Sequence, residues 1–283
     1  MLTTEQLHDP TFAFQEGAEF ADHFQISYDP LRDTLAYEGA MYALKPSSGQ
    51  QLLRYEVEGR GTAPWRPEDA AIIEGTAERL GIKQDEYPFT PGTEYDAVVT
   101  IPGARNSIKD RAEYGYEALA SGIISARRLL VVDDARKLKA PELAAVADWA
   151  PEAATTSDLS DIVAGNLRER NELPGDTDVD VFTTQNLSPD ARSIVNEVIL
   201  RGGIHRGGRV AIIGNGFFAP AMTHRGDAAG LILGVSVDTV GAPSRPEVAA
   251  ERGTDSYMNE VTNTLMSAAQ NQFATRALRR AKS

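Results

Sequence analysis

The chain has 283 residues, 42% apolar and 24% charged, with 28 basic against 41 acidic side chains and a formal net charge of −13. That length buries a sizeable core without disulfides or metals, and the composition is that of a folded chain rather than a disordered one. The lack of cysteine excludes disulfides, thiolate metal sites and cysteine nucleophiles and fits the cytoplasm, while the acidity argues against nucleic acid as a partner.

The N-terminus lacks the basic and apolar regions of a signal peptide, and the apolar stretch 231–237 is too short to span a bilayer. The four histidines, His8, His23, His205 and His224, are scattered, so no histidine metal site is expected. Residues 3–24 and 31–44 carry helical spacing of apolar positions, and 51–58 alternate as a short strand. Trp65-Arg66-Pro67-Glu68-Asp69 opens a helix that stops at Gly81, with proline and acids suited to its first turn. Residues 1–92 therefore form a mainly helical N-terminal extension.

From Tyr95 short apolar runs alternate with helical stretches. Strands are expected at 95–101, 128–132, 179–184, 209–214 and 231–238. Helices are expected at 108–122, 141–150, 188–202 and 217–230, with a closing helix or pair of helices over 247–281. The basic tail 276–282 reads as cations at the negative end of that helix. Apolar runs without alternation are strands buried on both faces of a parallel sheet. The expected fold is an α/β three-layer Rossmann-like sandwich over 93–246, with 247–283 packing on it. Val98, Val131, Phe182, Ile212 and Leu233 are expected in one layer.

In such sheets ligands sit at the carboxyl ends of the strands. Gly103, Arg105, Asn106 and Ser107 follow the first strand, and with Arg111 they suit an anion: a close backbone approach, a helix start and two cations. Asp133 and Asp134 end the second strand, Asp133 as an acid–base candidate. Thr184 and Asn186 follow the third. Gly214-Asn215-Gly216-Phe217-Phe218-Ala219 fits the glycine pattern of dinucleotide binding, with Asp238, 24 positions on, as the ribose-binding acid. Against that, the unit lies late in the sheet and carries two phenylalanines.

Residues 95–260 resemble the YdcF/SanA-like family of Rossmann-like bacterial proteins. The resemblance rests on the strand and turn ending Pro102-Gly103, the helix with Arg111 ending Ser121-Gly122, and the strand 129–134 followed by Glu142. It also rests on the turn 214–221 and the segment 234–246. It implies a small-molecule site, with S-adenosylmethionine as one ligand associated with members. Phe218 and Ala221 stand where the family has histidine and arginine, and His224 is the candidate for a displaced substitute.

The reading is thus a small-molecule-binding Rossmann-like protein for a nucleotide-like or S-adenosylmethionine-like ligand, with no metal and no membrane partner. One alternative is a structural or interaction module that keeps the fold without a reaction, as a homo-oligomer through residues 1–92. The other is a nicotinamide or flavin oxidoreductase using Gly214 and Gly216.

Overall fold

The computed structural model describes residues 2–44, 65–103, 106–185, 191–250 and 252–282. The expected strand at 51–58 and the candidates Arg105 and Asn186 lie outside the described residues. The chain divides into two compact units that interleave in sequence. A sheet unit comprises Glu86–Asn215 and Leu233–Pro243, and a helical unit Met1–Asp85, Gly216–Ile232 and Ser244–Ser283.

The sheet unit has the expected α/β architecture. Its strands are β1 (Thr93–Tyr95), β2 (Ala97–Thr100), β3 (Ile124–Ala126), β4 (Arg128–Asp133), β5 (Asp178–Thr183), β6 (Arg209–Asn215) and β7 (Ser236–Ala242). The main sheet has the order β5-β4-β2-β6-β7, and β1 pairs with β3 separately. All these pairings are parallel. Taken in chain order, the five main strands run 3-2-1-4-5 across the sheet. The order reverses between β2 and β6, where a doubly wound sheet has its crevice.

Non-alternating apolar strands are buried on both faces. Val98, Leu129, Val131, Val179, Ala211, Ile213 and Val240 share one core cluster with Ile108, Ala112, Tyr116 and Leu119 of helix Ser107–Ala120 and with Leu159, Val163 and Leu167 of helix Thr156–Arg170. Their neighbours along the strands, Val99, Leu130, Val132, Val210 and Ile212, are buried too. Helix Ser107–Ala120 approaches the sheet closely at Gly115, where an added Cβ would stand 2.7 Å from Ile213 Cδ1.

Two expectations are corrected. The strand expected at 231–238 is displaced: Leu231–Leu233 finish helix Ala219–Leu233, and β7 begins at Ser236. Gly234 at φ 72° turns the chain between them in a conformation that favours glycine. Leu231 and Ile232 are exposed, as the end of a helix allows and a central strand does not. Val98, Val131, Phe182 and Ile212 are all in the main sheet, but Leu233 is not. Second, helix Thr156–Arg170 has no counterpart among the expected elements. It starts on a capping box between Thr155 and Asp158 and stops at left-handed Asn171, φ 51°.

The helical unit collects the short helices Thr4–His8, Pro10–Glu16, Ala18–His23 and Thr34–Ala43, helix Ala70–Arg79, and the 29-residue helix Thr254–Lys282. The last presents Met258, Val261, Leu265 and Ala269 to a core that includes Phe14, Phe20, Tyr37, Met41, Ile73 and Leu80.

Candidate functional site

The carboxyl ends of β2 and β6 meet around one side chain. Arg111 lies in the second turn of helix Ser107–Ala120, and long helical side chains lean back toward the helix start. Its Nη1 donates to the carbonyls of Ile101 (3.0 Å) and Pro102 (3.1 Å), and its Nε to Asn215 Oδ1 (2.7 Å). Arg111 is only 5% exposed, and burial pulls its guanidinium down to about 10, so it is a cation at neutral pH. Its acceptors are all neutral, and among the described residues neither a carboxylate nor any partner for Nη2 is bonded to it. Gly103 leaves room for this arrangement: a Cβ there would stand 2.8 Å from Arg111 Nη1 and 2.6 Å from Ser107 Oγ. Helix Ser107–Ala120 has no side-chain cap. The Asn106 side chain is used elsewhere, its Oδ1 accepting from Trp149 Nε1 at 2.8 Å. The start of this helix, without a side-chain cap, thus lies beside a buried cation.

A second cluster lies at the ends of β4 and β5. Asp133 is fully buried. Its Oδ1 accepts from the Ala135 amide (2.8 Å) and the Ser157 hydroxyl (2.7 Å), and its Oδ2 from the Thr183 hydroxyl (3.0 Å). Asp134 accepts from Thr156 Oγ1 at 2.8 Å and lies 3.6 Å from Arg136, which grips Glu142 through two bonds of 2.7 Å. Those bonds hold the Glu142 carboxyl below its usual range. Thr184 Oγ1 donates to Glu197 Oε1 (2.6 Å), while Glu197 Oε2 accepts from the Gln185 amide (2.9 Å) and Arg201 (2.8 Å). The carboxylates at these strand ends hold the turns in shape.

The structure thus brings Gly103, Ser107, Arg111 and Asn215 together, and Asp133 with Thr183 and Thr184. Other candidates lie elsewhere. Gly214 and Asn215 are the last two residues of β6, paired with Gly241 and Ala242 of β7, so no tight turn opens at Gly214. Gly216 begins a short 3-10 turn assigned to the helical unit. Asp238 is corrected: it is the third residue of β7, not the end of a strand, and its Oδ2 accepts from Tyr95 (2.8 Å) and from Arg209 (2.7 Å). It ties the amino-terminal half of the sheet, away from the carboxyl ends where a ribose would lie. His224 is on helix Ala219–Leu233 in the helical unit, 2% exposed, and its Nδ1 has no hydrogen-bond partner among the described residues. Burial pulls its pKa down to about 3, so it is neutral at pH 7.

Ser157, Glu197 and Trp149 complete these clusters without having been singled out in the sequence. The Thr155–Asp158 capping pattern, not used in the sequence reading, is the signal that could have led to Ser157. Among the described residues no group of three or more His, Asp or Glu is placed to hold a metal ion, and no helix is long and apolar enough to cross a membrane. Comparison with protein-family models, with curated proteins and with solved structures finds no match.

Proposed function

We propose that the sheet unit binds a small anionic molecule of the nucleotide or S-adenosylmethionine class, with its phosphate or carboxylate at the crevice between the carboxyl ends of β2 and β6. The observation that carries this reading is Arg111, a buried cation bonded only to neutral acceptors, with one nitrogen unused among the described residues. A buried charge whose hydrogen-bond acceptors are all neutral is costly, and nearby Asp110 offsets only part of that cost. An anion at Nη2 and at the uncapped start of helix Ser107–Ala120 relieves that cost and gains charge-assisted hydrogen bonds. The resemblance of residues 95–260 to the YdcF/SanA-like family leads to the same ligand class.

A second reading, a structural or interaction module without a reaction, is favoured by a separate observation. Asp133, Asp134 and Glu197 are all engaged by protein donors, which leaves them as supports of the rim.

Thermal unfolding with AMP, ATP, S-adenosylmethionine and inorganic phosphate tests the proposal. A ligand at a hundred times its Kd stabilises by about 2.7 kcal/mol. The shift is expected in the wild type and is expected to vanish in Arg111→Met, each protein being compared with its own ligand-free state. No shift from any of the four, or a shift that Arg111→Met retains in full, refutes it.

A further inference from the structure

The connection from β4 to helix Thr156–Arg170 is longer than a crossover needs. The strand ends at Asp133, and the helix begins beside it: the Thr156 hydroxyl donates to Asp134 (2.8 Å) and the Thr156 amide to the Arg136 carbonyl (2.9 Å). Residues 138–154 leave the sheet and return to it at the same place. Their neck is closed by an antiparallel bridge between Lys137 and Thr155 and by the Leu138 amide, which donates to the Ala154 carbonyl (2.9 Å). The lobe carries one short helix, Ala140–Val146, and buries Leu138, Val146, Ala150 and Ala153 in the core cluster of the sheet unit. A closed loop packed by its own side chains, at the carboxyl rim of a parallel sheet, is suited to recognition.

The lobe brings Trp149 to the turn that Arg111 holds. Trp149 Nε1 donates to Asn106 Oδ1 at 2.8 Å, and Asn106 is the residue before helix Ser107–Ala120. Arg111 binds the other end of that turn, at the carbonyls of Ile101 and Pro102. The edge of the indole is thus fixed. The ring is partly buried against the core cluster, and Lys109 Nζ stands over it, 5.7 Å from its centre. The Lys109 side chain is 35% exposed, so the ring is reached from solvent on that side. An indole whose nitrogen is already engaged offers a ligand its face, and a flat ring is what stacks there.

We propose that Trp149 is the platform on which a nucleobase stacks, which narrows the ligand of the Arg111 site to an anion that carries a base. This rests on the reading of Arg111 as an anion site. The base takes the place of the Lys109 ammonium over the ring, because stacking on an indole is stronger than an exposed cation–π contact.

Two probe pairs are titrated calorimetrically against the full chain: AMP against ribose 5-phosphate, and S-adenosylmethionine against methionine. In each pair the second member lacks the base. In at least one pair the base-bearing member is expected to bind at least about tenfold tighter. Trp149→Ala is expected to remove that advantage and to leave the base-free member within about twofold, whereas Arg111→Met is expected to weaken both members. Trp149→Phe keeps a ring without the bond to Asn106 and is expected to retain most of the advantage. In Trp65→Phe, where Trp149 is the sole tryptophan, the base-bearing member is expected to quench fluorescence saturably and the base-free member not to. This measurement decides if Trp149→Ala does not fold. The platform is overturned by equal affinities within both pairs, by an advantage that folded Trp149→Ala retains, by an equal loss of both members in Trp149→Ala, or by absent quenching. In those cases the anion reading stands wherever binding persists and depends on Arg111. Failure of all four probes to bind overturns both.

Discussion

Removing the Asp133 carboxylate is expected to destabilise the protein by about 2 kcal/mol in Asp133→Ala and by about 1 kcal/mol in Asp133→Asn. The carboxylate is fully buried and accepts three hydrogen bonds. Alanine leaves all three donors without it. The Ser157 and Thr183 hydroxyls can rotate toward other acceptors, and Thr183 is exposed. The Ala135 amide cannot, because its backbone is fixed at φ 51°. Ala135 is exposed and its bond to Asp133 only part-buried, so the loss there is about 1 kcal/mol, and the two lost hydroxyl bonds add about 1 kcal/mol together after they re-form with other partners. Asparagine keeps one oxygen for the amide and for Ser157, and turns its NH₂ to the Thr183 hydroxyl, which accepts as well as it donates. Only the charge is lost. Urea unfolding followed by circular dichroism measures both variants. An Asp133→Asn variant as unstable as Asp133→Ala, or an Asp133→Ala variant within about 0.5 kcal/mol of the wild type, refutes the view that Asp133 braces the turn and makes its role in chemistry the better account.

Two further outcomes follow from backbone and burial. Ala135→Gly is expected to raise Tm by a few degrees, because a left-handed conformation costs a non-glycine residue about 1 kcal/mol and glycine adopts it freely; a lowered Tm contradicts strain at this turn. His224 has a folded-state pKa of about 3 against an ordinary 6.5, so the unfolded chain takes up the proton first. Its contribution to stability is complete above pH 6.5 and is lost as pH falls toward 3, on the order of a few kcal/mol in all. His224→Leu is expected to flatten the fall in unfolding free energy between pH 7 and pH 4.5, and an unchanged slope refutes the buried neutral state.

Much of the sheet unit is legible in the sequence. The runs at 95–101, 128–132, 179–184 and 209–214 are apolar without alternation, and burial on both faces of a parallel sheet follows from that alone. The alternation of those runs with helical stretches fixes the class, and the class directs attention to Gly103, Arg111 and Asp133. The helix Thr156–Arg170 was also written there, in the capping box and in Leu159, Val163 and Leu167 at four-residue spacing.

Periodicity is a local property, and it stops where residues distant in the chain choose one another. Leu231–Leu233 suit a strand or a helix equally, and only packing together with left-handed Gly234 makes them the end of a helix. No local rule pairs Arg111 with Asn215, 104 positions later, or Tyr95 with Asp238, 143 positions later. The sequence by itself determined a parallel α/β sheet and the set of turns that close it. The tertiary structure alone decided which of those polar groups are consumed in holding the fold and which are left for a ligand, because that depends on the partner each buried donor or acceptor meets once distant segments are brought together.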